Sequence, residues 1–236
     1  QHAAPAENYI SFTPSIKQWR ENLVPNTIMT IGNDFHERLL RNLAPKHRIK
    51  IGGVYRNPSL ATMPGKTSMQ NSQYDRVLVS CPMDQSDSME LIHKTALATA
   101  QSINIQVLVN FHPMAAININ NEVISCVKKM TSCNHLTFVE GPAQNWLKKC
   151  RILIYNSSGT VFDAITMGIP SIYLAPENRL DLDKMPSGNK LKCRDPSSLK
   201  QSIERLLSDP SLGEELIQQA KQSMENSFSR PNSETW

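Results

Sequence analysis

Short unbroken apolar runs alternate with longer mixed stretches from residue 76 to the end of the chain. The runs Arg76–Cys81, Ile105–Phe111, Leu136–Val139, Arg151–Tyr155, Ile169–Leu174 and Lys190–Cys193 predict strands. Between and after them, Ser88–Ser102, Asn121–Met130, Ala143–Lys149, Val161–Met167, Ser197–Leu207 and Glu214–Asn226 predict helices. Strands that are mostly continuous apolar runs, rather than apolar at every second position, fit burial on both faces. The pattern therefore implies an α/β domain, a parallel sheet covered by helices on both faces.

Upstream the pattern is thinner. Tyr9–Phe12, Thr27–Ile31 and Arg48–Ile51 predict three short strands, and Phe35, Leu39, Leu40 and Leu43 recur at helical spacing within Asp34–Ala44. Two prolines, a glycine and many polar residues mark 57–75 as a linker, too long for a loop inside one compact domain. The expected organisation is a small unit over 1–56, the linker over 57–75, a main lobe over 76–228 and a flexible tail over 229–236.

The 236 residues, 39% of them hydrophobic, suffice for a packed core. A net charge of +4 is spread along the chain without a basic-aromatic stripe, which argues against nucleic-acid binding. It suits an anionic nucleotide or an acidic membrane surface. Five cysteines with no CxxC pair argue against a disulfide framework or a structural zinc, and fit buried thiols in a reducing, cytoplasmic setting. No apolar run approaches the ~18–20 residues that span a bilayer. The chain opens on Gln1 rather than Met and is expected to be a fragment.

The chemistry concentrates at the ends of the predicted strands, where ligands of open parallel sheets bind. The central stretch is Arg151–Ala175, in which the strand ending at Tyr155 runs into Asn156-Ser157-Ser158-Gly159-Thr160 and then a helix. Such a turn offers hydroxyls, and at Gly159 a bare backbone, to a phosphate. Thr160 and Asp163 also fit a capping box, in which Asp163 only satisfies a backbone N–H. Another strand ends in His112-Pro113, where an imidazole can donate to phosphate and the proline disfavours helical geometry at His112. Gly168 suits the left-handed position that ends a helix, and Pro170 stops it restarting. No metal site is expected; Asp181-Leu182-Asp183 reads as a loop.

His-Pro after a strand, Ser-Ser-Gly-Thr opening a helix, and the following D-A-x-x-x-G-x-P together resemble the C-terminal lobe of GT-B glycosyltransferases. The likeness is to bacterial capsule and surface-polysaccharide enzymes of the polysialyltransferase-like or Kdo-transferase-like kind. Gln1-His2-Ala3 is similar to a Gln-His-Gly segment of some of these enzymes, with Ala3 in place of the usual glycine. Gly32-Asn33 and Ile51-Gly52-Gly53-Val54-Tyr55-Arg56 resemble the end of their N-terminal lobe.

The resemblance implies a Rossmann-like lobe with a remnant of the N-terminal, acceptor-side lobe. It also implies metal-independent transfer of a sugar from a CMP- or UDP-linked donor to a glycan or glycolipid acceptor. The donor would be a substrate, with no separate cofactor, and the protein could lie at the inner face of a membrane. By the same resemblance His112, Pro113, Ser157, Ser158, Gly159 and Thr160 bind the donor phosphate. Glu140 and Gly141 line the nucleotide pocket, and Asp163 stands where a ribose-reaching acid is often found. The family's catalytic base belongs to the N-terminal lobe, leaving His2 as the sole candidate here. Three alternatives stay open: a non-hydrolysing UDP-N-acetylglucosamine 2-epimerase, a non-catalytic nucleotide-binding subunit, and an α/β domain with no ligand at this rim.

Overall fold

The computed structural model describes residues 13–54, 75–102, 104–115, 117–130, 135–177, 179–183, 185, 190–225 and 227–231. The expected strand at Tyr9–Phe12, His2, and most of the expected linker lie outside these. Asp75, assigned to that linker, already belongs to a strand and pairs with Ile105.

The first described unit contains α1 (Ile16–Arg20), β1 (Ile28–Thr30), α2 (Asn33–Arg41), a single 3-10 turn and β2 (Ile49–Ile51). β1 and β2 pair in parallel, and α2 crosses between them. Trp19, Leu39, Ala44 and Ile49 form a small core. Arg48 stacks over the Trp19 ring and donates to the carbonyls of Val24, Pro25 and Asn26, closing this unit.

The main lobe runs β3 (Asp75–Ser80), α3 (Gln85–Thr99), β4 (Ile105–Asn110), α4 (Ile117–Met130), β5 (Leu136–Val139), α5 (Ala143–Leu147), β6 (Ile152–Tyr155), α6 (Thr160–Thr166), β7 (Ser171–Leu174), β8 (Leu191–Cys193), α7 (Pro196–Ser208) and α8 (Pro210–Met224). The six strands form one parallel sheet in the order β5-β4-β3-β6-β7-β8. Each expected strand is present to within two residues at either end. Helices α3, α4 and α8 start earlier than expected, and at α3 and α8 a side chain caps the earlier start. Asp84 accepts from the N–H of Asp87 at the start of α3, and Asp209 accepts from Ser211 and Leu212 ahead of Pro210 in α8.

Successive residues of each strand point to opposite faces. Leu78, Leu108, Leu153, Tyr155 and Tyr173 face one side and pack with α5, α6 and α8. Val77, Val79, Val107, Val109, Ile152, Ile154 and Ile172 face the other and pack with α3, α4 and α7. Both faces are therefore dry, which explains why the strands read as unbroken apolar runs.

The residues after α8 turn back onto the first unit. The Ser229 N–H donates to the Ile31 carbonyl at 2.8 Å, and the Val54 N–H donates to the Ser229 carbonyl at 2.9 Å. Phe228 packs edge-on against Phe162 of α6, 5.0 Å between ring centres. Residues 229–231, expected to begin a flexible tail, are thus strung between the two units. Two glycines admit this crossing: a Cβ on Gly32 or Gly53 would stand 2.2 Å from the carbonyl oxygen of Ser227 or Arg230. No helix among the described residues is long and apolar enough to cross a membrane.

Candidate functional site

Strand order reverses between β3 and β6: from β3 the chain winds outward through β4 and β5, then returns to place β6 on the other flank. At such a point the loops leaving neighbouring strands part company and a crevice opens at their carboxyl ends. A cavity of about 830 Å³ occupies it here. His112, Pro113, Glu140, Gly141, Ser158, Gly159, Thr160 and Asp163 all line it. His112 and the Ser158–Thr160 turn do not leave adjacent strands. They leave β4 and β6, which flank β3, so their strands are separated by two spacings, roughly 10 Å.

The strand between them supplies a residue that the sequence reading passed over. Ser80 ends β3 and is buried. Its Oγ lies 2.9 Å from Ser158 Oγ and donates to Thr160 Oγ1 at 3.0 Å. Ser158 Oγ in turn donates to Thr160 Oγ1 at 3.0 Å, and the Thr160 N–H donates back to Ser158 Oγ at 3.3 Å. Three hydroxyls from two elements make one cluster at the floor of the cavity. A polar residue directly after the apolar run Val77–Val79 was the available signal.

The capping box expected of Thr160 and Asp163 does not form. The N-cap of α6 is Gly159, which has no side chain to offer, and Thr160 is already inside the helix with its hydroxyl committed to the serines. The Asp163 carboxylate instead accepts from Gln144 Nε2 at 2.9 Å. Burial raises the Asp163 carboxyl above the usual range, partly offset by this hydrogen bond. Ser157 also departs from expectation. It does not line the cavity; it adopts φ 47°, the left-handed turn that redirects the chain from β6 into α6. The helix then ends as expected. Gly168, at φ 75°, donates to the Ile165 carbonyl and Ile169 to that of Ala164, the paired bonds of a Schellman motif.

His112 sits in a tight turn in which the Ala115 N–H donates to its carbonyl at 2.9 Å. The Met114 N–H donates to His112 Nδ1 at 3.1 Å. A neutral ring therefore carries its proton on Nε2. Phe111 and Phe138 stack nearly parallel, 6.0 Å between centres, and form part of the apolar wall.

The turn Glu140–Pro142 is held from below by Asn110, whose Nδ2 donates to the carbonyls of Val139 and Gly141. Trp146 Nε1 donates to the Glu140 carbonyl at 2.8 Å, which ties the turn to α5. Gly141 has φ 89°, a value favouring glycine, but a Cβ there would meet nothing within 4 Å.

Asp181 and Asp183 stand away from this cavity. Tyr173 donates to Asp181 at 2.7 Å and Tyr155 to Asp183 at 2.8 Å, while Lys192 and Lys190 pair with the same two carboxylates. These bonds fasten the β7–β8 loop to the sheet. Among the described residues no cluster of His, Cys, Asp and Glu has the makings of a metal site.

No protein-family profile and no curated protein matches the sequence. Solved structures do match in fold. One is a UDP-GlcNAc 2-epimerase from Neisseria meningitidis bound to UDP-GlcNAc, at 13% identity and a TM-score of 0.62, covering 97% of this chain and 64% of that one. A glycosyltransferase from Rickettsia africae ESF-5 matches at 14% identity and 0.60, covering 92% and 64%. Anabaena Alr3699/HepE in complex with UDP and glucose matches at 11% and 0.58, covering 88% and 60%. The chain spans less than two thirds of the length of each, and what it has in common with them is the architecture of the sheet and its covering helices.

Proposed function

We propose that this cavity binds the nucleotide and phosphate of an activated sugar, and that the chain is the donor-binding part of a glycosyltransferase acting on a surface or capsular glycan. One observation carries the reading: the reversal of strand order brings His112, the Ser158–Thr160 hydroxyls and Asp163 to a single cavity. Phosphate oxygens accept hydrogen bonds and donate none. An imidazole Nε2–H, the Thr160 O–H, which accepts from both serines and keeps its own proton to donate, and the bare backbone at Gly159 are the partners such oxygens need. Charge that develops on a departing nucleotide phosphate would meet the same donors, which is how a transferase lowers its barrier. Asp163 lies three residues along α6 from Thr160, about 4.5 Å of helical rise. That separation suits a carboxylate accepting from a ribose hydroxyl while the phosphate occupies the turn.

Two of the similar folds are complexes with UDP or a UDP-sugar, which makes UDP-linked donors the first to test and CMP-linked donors the second. Thermal unfolding of the purified chain with UDP, CMP and their sugars should show a rise in Tm with at least one of them. His112→Ala and Thr160→Val should each weaken that ligand about fivefold or more. No shift with any nucleotide would sink the reading. Analysis of products then separates transfer, which releases the nucleotide, from epimerisation, which leaves it attached.

A further inference from the structure

Gln144 has no part in the sequence motifs, yet its side chain links α5 to α6 at the wall of the cavity. It is the second residue of α5, and its Nε2 donates to Asp163 Oδ2 of α6 at 2.9 Å. Both side chains line the cavity. The amide can take only one orientation there, because a carboxylate accepts and does not donate. The position of Gln144 is itself held. Asn110 fastens the turn before α5 through the carbonyls of Val139 and Gly141, and Trp146 fastens α5 to Glu140. A carboxylate has room for about four hydrogen bonds, and among the described residues Gln144 is its side-chain donor. The carboxylate is therefore oriented and partly desolvated, with lone pairs left for hydroxyl donors from a ligand.

We propose that Gln144 is a positioning residue of the nucleotide site: it fixes the plane of the Asp163 carboxylate so that this group accepts from a ribose hydroxyl of the bound nucleotide. The inference rests on the reading that the cavity takes a nucleotide. Without the Gln144 amide the carboxylate can swing and is protonated more readily, since that hydrogen bond opposes the upward pull of burial. His112 and Glu140 share the cavity with Asp163. Lys148 directly follows α5, and Glu214, Glu215 and Lys221 lie on α8, the other helix packed on α6. The shift at Asp163 comes from burial and Gln144 rather than from any of these charges.

The test compares UDP and CMP with their 2′-deoxy and 3′-deoxy forms by titration calorimetry, in wild type, Gln144→Met and Gln144→Ala. Circular dichroism confirms that each variant is folded. Wild type should lose about tenfold in affinity when the hydroxyl that Asp163 accepts from is missing, the usual worth of a hydrogen bond to a charged group. In Gln144→Met, which keeps the side-chain length, the gap should narrow to less than about threefold, with affinity for the deoxy form unchanged. The hydroxyl preference should also fade at a higher pH in this variant than in wild type. If nucleotides bind but the gap and its pH midpoint are the same in folded Gln144 variants, the positioning role is wrong and the nucleotide reading stands. If no nucleotide binds wild type, both are wrong.

Discussion

Ser80 Oγ, on the last residue of β3, stands 2.9 Å from Ser158 Oγ in the turn after β6. The two residues are 78 positions apart in the chain, and both are buried. Their contact spans the line at which the order of strands reverses, so it joins the two halves of the sheet where a ligand would enter. Ser158 also receives the Thr160 N–H. Ser158→Ala should therefore lower the unfolding free energy by about 1–2 kcal/mol, the cost of leaving buried partners unpaired. Urea denaturation measures this, and an unchanged midpoint would show that the hydroxyl cluster contributes nothing to stability.

Asp163 should show function and stability pulling in opposite directions. Burial raises its carboxyl in the folded state above the unfolded value. Between those two values the folded state binds more protons, so its stability increases as pH falls through the window and decreases as pH rises. At neutral pH the charged form costs stability. Asp163→Asn should raise the Tm of the unliganded protein at pH 7 and weaken nucleotide binding at the same time. Scanning calorimetry paired with binding measurements checks both signs, and a lower Tm would contradict the argument.

Asp181 should behave the opposite way. Burial pushes its carboxyl up, but hydrogen bonds from Lys192 and Tyr173 outweigh this and hold it at about 2. A carboxyl depressed in the folded state contributes stability above its unfolded value and loses it as pH falls through the folded one. The stability lead of wild type over Asp181→Asn should shrink between about pH 4 and pH 2. Denaturant midpoints across that range report it. A lead that stays constant would mean the Tyr173–Asp181–Lys192 contacts are not maintained in solution.

Gly53, Gly32 and Gly141 should separate by cause. Gly53 combines φ 83° with a Cβ position 2.2 Å from the Arg230 carbonyl oxygen. Gly53→Ala faces both the left-handed penalty of about 1–2 kcal/mol and a clash with backbone that cannot yield, so it should cost more than about 3 kcal/mol or prevent folding. Gly32→Ala has the same clash against Ser227. Gly141→Ala faces open space and should cost only about 1 kcal/mol. Comparable losses at Gly53 and Gly141 would show that residues 227–231 do not cross the first unit as described.

The apolar runs and the glycine stop after α6 were legible in the chain because each rests on contacts a few residues long. Unbroken runs such as Val77–Val79 and Ile152–Ile154 require dry surfaces on both sides, and that alone implies a covered parallel sheet. Local rules also marked His112 and the Ser158–Thr160 turn as polar residues delivered by strand ends. Where they misled, a distant partner had intervened. Thr160 fits a capping box in sequence, but Ser80, from a strand 80 residues earlier, engages its hydroxyl. Asp163 follows Thr160 at cap spacing, but Gln144 claims its carboxylate. Residues 229–231 read as part of a polar tail, yet Ile31 and Val54 hold Ser229 by backbone hydrogen bonds. A single chain reveals its elements through short-range hydrogen bonds and burial periodicity. Which strand lies beside which, and hence which hydroxyl meets which carboxylate, is decided only when the sheet closes up and its order reverses between β3 and β6.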